Sequence, residues 1–252
     1  VAMLALLAPV IFPGSPWDMV GAPFMPPGEM GLLLGSDSLG RDVAAGIAHG
    51  ARVSLLVGAV STVAALLIGV TLGAVAGYFG GIVDDLVMRF TEFFQTIPSF
   101  VLAVVLVAIF RPSLGSIVFS IAIVSWPPVA RVVRAEFLRG RNLDYVRAAK
   151  ALGVSDARVM ARHILPNAMV ATLTLLPFIL SGSVTVLASL DFLGFGLPPG
   201  SPSLGELVAQ AKNNLQAPWL GATAFAVLGG TLTLLIFIGE AVRDAFDPRK
   251  LP

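Results

Sequence analysis

The sequence predicts an all-α membrane protein with about six transmembrane helices, and three observations carry that prediction. The first is balance: of 252 residues 56% are hydrophobic and 12% charged, against about 25% charged in an ordinary soluble domain. The second is patterning. No Asp, Glu, Lys or Arg occurs in residues 53–83, 112–130, 165–190 or 213–239, and 93–110 is a fifth, shorter run. Each meets or approaches the roughly 20 residues that cross a bilayer as a helix, and five such runs leave too little surface-forming sequence for a soluble core. The third is the uneven placement of the 16 basic residues, which concentrate on one side of an alternating topology.

Taken in order, residues 1–12 are apolar but short, and they lack the basic flank and cleavage site of a signal peptide. They read as the latter part of a first transmembrane helix. Residues 13–52 are a non-membrane segment rich in Pro and Gly. Near its end Asp42, Gly46 and His49 fall on one helical face and Val43, Ile47 and Ala51 on another, which fits an amphipathic helix at the membrane surface; a solvated connector fits equally well. Residues 53–79 form the longest span. Ser61, Ala65, Gly69, Gly73, Gly77 and Gly81 recur every four positions, so one face carries almost no side chains and lets another backbone approach closely. Helix packing is therefore assigned to Ala65, Gly69, Gly73 and Gly77.

Residues 80–92 read as a polar turn, followed by a third span kinked at Pro98. Arg111, Pro112 and Gly115 make a tight return. The fourth span runs to Pro127–Pro128, where helix geometry is expected to break or redirect. A fifth span, 168–190, contains Pro177 and Gly182, and the connection after it is expected to be mostly non-helical. The sixth span is 221–239, followed by a basic-ended tail.

Residues 144–167, DYVRAAKALGVSDARVMARHILPN, are amphipathic and basic between two lipid-soluble runs. Leu143, Val146, Ala149 and Leu152 share one helical face. Gly153 can leave the helix without a Cβ penalty and Ser155 is a natural N-cap. Ala157, Met160, Ala161 and Ile164 repeat the helical spacing, and Pro166 marks the exit. The prediction is a helical hairpin outside the membrane whose apolar face needs a partner. With this hairpin in the cytoplasm, twelve basic residues (Arg89, Arg131, Arg134, Arg139, Arg141, Arg147, Lys150, Arg158, Arg162, Arg243, Arg249 and Lys250) lie inside, against four (Arg41, Arg52, Arg111 and Lys212) outside. That asymmetry follows the positive-inside rule, and six spans then put both termini in the cytoplasm.

Chemistry is sparse. Net charge is +1, there is no cysteine, and His49 and His163 stand far apart, which argues against disulfides, thiolate metal sites and a His-based metal site. The nucleotide loop G-x-x-x-x-G-K-[ST] is absent, as are H-E-x-x-H, G-x-S-x-G and G-x-G-x-x-G. Glu92, Asp191 and Glu240 fall at span ends, where a charge can reach water, rather than mid-span. These features describe a non-catalytic channel or carrier driven by something else.

The hairpin also carries a resemblance. Arg147-Ala148-Ala149, then Gly153, then His163-Ile164-Leu165-Pro166 match the spacing of the EAA loop of ABC-importer permeases. GSDSLGRDVAAGIAHGARVSLLVG, AGYFGGIVDDLVMRF and SLDFLGFGLPPGSPSLGELVAQAKNNLQAPWLG resemble the C-type permease of oligopeptide and dipeptide importers, most of all the subgroup that takes up peptides and the peptide-nucleotide antibiotic microcin C. Two positions depart from the motif: its Glu is Arg147 here, and His163 stands where the general motif has Ile.

The resemblance implies a type I ABC importer permease fold, with a periplasmic segment at 13–52, a permease domain over 53–252 and a coupling loop at 141–166. It implies a bacterial inner-membrane location and an assembly with a second homologous permease, two ABC ATPase subunits or one fused double ATPase, and a periplasmic binding protein. Membrane lipid is the surrounding medium, and nucleic acid is not a partner. ATP and Mg would be held by the ATPases, with no cofactor in this chain. Tyr145, Arg147, Ala148, Ala149, Gly153 and Met160 would carry ATPase docking. Pro98, Trp126 and Pro177 are candidates for the translocation path because broken helices expose backbone to a water-filled cavity, with ordinary helix packing at least as good a reading of each, and Asp191 is a candidate for attracting a peptide amino terminus at the outer mouth. The competing reading is a proton-coupled secondary peptide carrier, which calls for intramembrane acids and repeated halves.

Overall fold

The computed structural model describes residues 2–198 and 200–246. Arg249 and Lys250, counted above on the inner side, lie outside them. After α1 (Ala2–Ile11) comes an irregular stretch with one 3₁₀ turn at Glu29–Gly31, then α2 (Val43–Phe79), α3 (Gly81–Thr96), α4 (Ser99–Phe110) and α5 (Leu114–Gly140). The hairpin follows as α6 (Asp144–Ala151), a single turn α7 (Asp156–Arg158) and a π-helical stretch, Val159–Ile164. It leads into α8 (Leu165–Phe192), α9 (Leu204–Asn213) and α10 (Pro218–Ala245). Among the described residues four helices are long and apolar enough to cross a membrane: α2, α5, α10 and the continuous run Asp156–Phe192. The pair α3 and α4 passes the same test together, bent by 85°.

The small-residue face of α2 sets the packing. A Cβ added at Gly69 would lie 2.6 Å from Val129 Cβ and 2.8 Å from the Trp126 carbonyl, and one at Gly77 would lie 2.6 Å from Phe137 Cβ. Gly73 faces the Ala130 carbonyl in the same way, and Ala65 is buried with Trp126 and Ala130. Rising numbers on α2 meet rising numbers on α5, so these two helices run parallel. α8 runs antiparallel to α2, with Thr62 and Ser183 hydroxyls 3.4 Å apart, and α10 lies on α8 where Gly239 meets the Phe178 ring. Leu67 on α2 and Phe225 and Phe237 on α10 point outward, as lipid-facing or subunit-facing side chains do.

Several expected elements differ. The surface helix near Asp42 is not a separate element: α2 runs unbroken from Val43, and the expected boundary at 52/53 falls inside it. Asp42 N-caps it by accepting from the Ala44 N–H at 2.8 Å. Val43, Ile47 and Ala51 are buried against Leu204, Leu207 and Leu220, partners distant in sequence that remove any reason for the helix to end at the surface. The polar turn at 80–92 is helix α3, entered through Gly80 and Gly81 at φ +68° and +53°. Pro98 does not kink a straight span; it separates α3 from α4 at the 85° bend, because its ring removes a donor and disfavours helical geometry at Ile97.

Conversely, α5 passes through Pro127 and Pro128 without interruption. Neighbouring helices support such residues in a membrane bundle, and here Trp126, Pro127, Val129 and Ala130 are all buried. Pro166 is not an exit either, since the helix continues to Phe192. The π stretch just before it widens the turn and relieves the clash of a proline ring with the preceding turn. The connection after α8 contains α9, N-capped by Ser203 through the Glu206 N–H at 3.0 Å.

Candidate functional site

The hairpin sits at the end of the bundle where α2 and α5 finish and α8 begins. α6 ends in a Schellman motif: Gly153 adopts φ +79°, its N–H donates to the Lys150 carbonyl at 2.9 Å, and the Val154 N–H donates to that of Ala149 at 3.1 Å. Ser155 occupies the N-cap position of α7 with extended backbone, though its side chain makes no capping bond. Its carbonyl accepts from the N–H groups of Arg158 and Val159, both at 3.0 Å.

The apolar face of the hairpin finds its partner within the chain. Val146, Val159 and Ile164 are fully buried in one cluster with Tyr78 of α2 and Val133 and Phe137 of α5. Burial of each of these three aliphatic side chains stabilises the seat by about 1.5–3 kcal/mol. The two limbs are also tied together by Tyr145, whose hydroxyl donates to the His163 carbonyl at 3.2 Å and accepts from Asn167 Nδ2 at 3.0 Å.

Polar contacts anchor the seat to the bundle. The Tyr78 hydroxyl donates to the Asp156 carboxylate, and Lys150 Nζ lies 3.8 Å from the same carboxylate and 4.4 Å from the Tyr78 ring centre. Arg141 Nη1 donates to the Gly77 and Tyr78 carbonyls, at 3.2 Å each, satisfying groups that the end of α2 leaves unpaired. Arg134 on α5 binds the Asp84 carboxylate of α3 through Nε and Nη2.

Of the residues assigned to docking, Tyr145, Arg147, Ala148 and Gly153 are exposed, whereas Ala149 and Met160 are half-buried against the cluster beneath. Leu152 is 85% exposed at the turn. The helical repeat grouped it with Val146, but it caps α6, where the backbone leaves the helix. The outward surface of the hairpin therefore combines Arg147, Ala148, Ala151, Leu152 and Gly153 with Arg158 and Arg162.

The residues assigned to the path separate. Pro98 is exposed at the α3–α4 bend. Trp126 is buried, with the Phe90 ring stacked 5.8 Å away and the Phe94 ring edge-on at 5.5 Å, and Pro177 is buried within α8. Asp191 is not at an open mouth. It is 4% exposed, and its two oxygens accept from the Leu197 N–H at 2.8 Å and the Ser203 hydroxyl at 2.7 Å, so its polar capacity goes to closing the loop between α8 and α9. Nearby, Asp37 and Arg41 form a buried pair at 2.6 Å, and Arg41 Nη1 also donates to the Gly200 carbonyl at 2.9 Å. Sequence reasoning passed over Tyr78, Lys150 and Asp156. The signal available for Tyr78 was a single phenol at the end of a charge-free run.

Comparison with known proteins agrees with this architecture. Residues 69–252 match the family described as binding-protein-dependent transport system inner membrane component. The chain is 58% identical over 217 residues to the peptidoglycan transport system permease protein YejE of Agrobacterium fabrum, covering 86% of this chain and 57% of that protein. It is 52% identical to the inner membrane ABC transporter permease protein YejE of Escherichia coli, covering 97% of this chain and 72% of that one. With the dipeptide transport system permease protein DppC of Haemophilus influenzae it shares 34% identity over 99% of this chain and 87% of that protein. Among solved structures, a chain of the inward-facing MetNI methionine ABC transporter superposes with a TM-score of 0.66 at 20% identity, covering 80% of this chain and 96% of its own. The fold is thus that of type I ABC importer permeases.

Proposed function

Because the chain belongs to the family of binding-protein-dependent transport system inner membrane components, we propose that it is a transmembrane permease subunit of an ATP-driven ABC importer. Its cargo on this reading is oligopeptides, dipeptides or peptide-like compounds, a class that includes peptidoglycan-derived peptides and microcin C. The relatives named for peptidoglycan and dipeptide transport support that class. The subunit is non-catalytic and pairs with a homologous permease in a bacterial inner membrane. Two ABC ATPase subunits, or one fused double ATPase, bind ATP and Mg below it, and a periplasmic binding protein delivers cargo above. The arginines gathered at the hairpin end support a cytoplasmic hairpin and cytoplasmic termini.

The observation that carries this reading is the hairpin itself. Its inner face is seated on α2 and α5, while Leu152, Ala148 and Arg147 are presented outward. A small apolar patch ringed by charge suits a partner groove in which apolar contact supplies affinity and charge sets orientation.

Purification in mild detergent tests it. The unaltered chain is expected to bring down an ATPase subunit, and Leu152→Glu to lose that subunit while still inserting in the membrane. Failure of the unaltered chain to retain any ATPase would overturn the proposal. Peptide uptake by this chain alone in liposomes would favour the proton-coupled carrier instead.

A further inference from the structure

We propose that Tyr78 is a positioning residue that clamps the hairpin to α2, so that hairpin and α2 move as one body relative to α8. The inference rests on the importer reading above, because it concerns how motion delivered to the hairpin reaches the spans.

One side chain engages both limbs. The Tyr78 hydroxyl donates to Asp156 on α7, and its ring lies under Lys150 of α6, whose ammonium is 3.8 Å from that carboxylate. A hydrogen bond to a charged acceptor is roughly twice as strong as a neutral one, and Lys150 and Asp156 hold each other in place around the ring. Below the clamp, Val146, Val159 and Phe137 pack in the same cluster as Tyr78. Behind it, the Arg141 guanidinium binds the Gly77 and Tyr78 carbonyls at 3.2 Å each. α2 is in turn locked to α5 through the close contacts of Gly69, Gly73 and Gly77, so force on the hairpin loads α2 and α5 together.

The connection to α8 is of another kind. It passes through Val159–Ile164, whose wide turn is closed by the Leu165 N–H donating to the Met160 carbonyl five residues back. Pro166 follows directly and has no N–H to contribute. Helices bend at π turns and at prolines because the hydrogen-bond ladder is weakest there. The hairpin is therefore clamped on the α2 side and jointed on the α8 side, where what spans the joint is Asn167 Nδ2 donating to the Tyr145 hydroxyl at 3.0 Å and Ala168 in the shared cluster.

The test is a pair of distances. The chain has no cysteine, so Ser155→Cys on the hairpin can be spin-labelled together with either Thr71→Cys on α2 or Val170→Cys on α8, all three positions being exposed. In the assembled importer, going from the nucleotide-free to the vanadate-trapped state is expected to shift the 155–170 distance and leave 155–71 unchanged. Tyr78→Phe removes one hydroxyl and keeps the ring; it is expected to broaden the 155–71 distribution, and Asp156→Asn, which still accepts from the phenol, to broaden it less. Coupling mutations of this kind change the measured coupling by about 2- to 30-fold, read here as ATP hydrolysed per peptide taken up in the absence of vanadate. A 155–71 distance that shifts as much as 155–170, or that stays as narrow in Tyr78→Phe, overturns the clamp. The broadening is also expected in the purified chain without any partner, so the clamp can be judged even if no ATPase binds, a result that would sink only the importer reading.

Discussion

The hydroxyl of Ser203, which N-caps α9, donates at 2.7 Å to the carboxylate of Asp191 at the C-terminal end of α8. The second carboxylate oxygen accepts from the Leu197 N–H at 2.8 Å, so one acid fixes both ends of the turn that follows α8. Asp191→Ala leaves the buried Ser203 hydroxyl proton and the Leu197 N–H without an acceptor and is expected to cost about 2–4 kcal/mol. Asp191→Asn, which retains one acceptor oxygen, is expected to cost less. Thermal unfolding of the purified variants in detergent checks the order, and uptake of peptides with free and blocked amino termini is expected to fall together in both.

Gly77 and Gly69 are tested by volume. Adding a methyl at either position drives it to within 2.6 Å of a Cβ on α5, so Gly77→Ala and Gly69→Ala are expected to lose about 1–3 kcal/mol by forcing α2 and α5 apart. Gly229→Ala and Gly230→Ala on α10, where an added Cβ meets nothing within 4 Å, are expected to be neutral in the same unfolding assay.

Gly153 separates backbone strain from surface contact. An added Cβ there meets nothing within 4 Å, but the backbone stands at φ +79°, which a β-branched residue adopts at a cost of about 1–3 kcal/mol. Gly153→Val is therefore expected to unwind the end of α6 and lose ATPase co-purification. Gly153→Asn, which tolerates this conformation, is expected to keep it. Equal loss in both would mean that the glycine surface, not the turn, makes the contact.

Arg134 Nη2 lies 2.5 Å from Asp84 Oδ2, and the Asp84 side chain is 12% exposed against 32% for Arg134. Removing either partner leaves the other half-buried charge uncompensated, and partial exposure of the arginine limits the loss to about 1–3 kcal/mol. A thermal double-mutant cycle of Asp84→Asn and Arg134→Gln is expected to show the double variant more stable than the sum of the single losses predicts.

The long spans were legible because lipid tolerates few charges, and that constraint is written along a single stretch of chain. The turn at Gly153 was legible for a similar reason, since a residue without Cβ followed by a serine is a local backbone signal. Prolines were not legible in the same way. Pro98 breaks its span while Pro127, Pro128 and Pro166 do not, because the outcome depends on whether neighbours or an adjacent π turn support the freed backbone. Asp191 looked like an exposed acid at a span end, and only the fold brings Ser203 and Leu197 onto it.

By itself the sequence determined which stretches can lie in a membrane, the small-residue face of α2, and a basic hairpin broken at Gly153. The tertiary structure alone decided that α5 receives that face, that Val146 turns inward while Leu152 stays out, and that Tyr78 meets Asp156 across 78 positions. Hydropathy and turn chemistry act within a few residues and can be read one stretch at a time. The choice of packing partner is a pairwise matter between distant stretches, fixed only when the bundle closes.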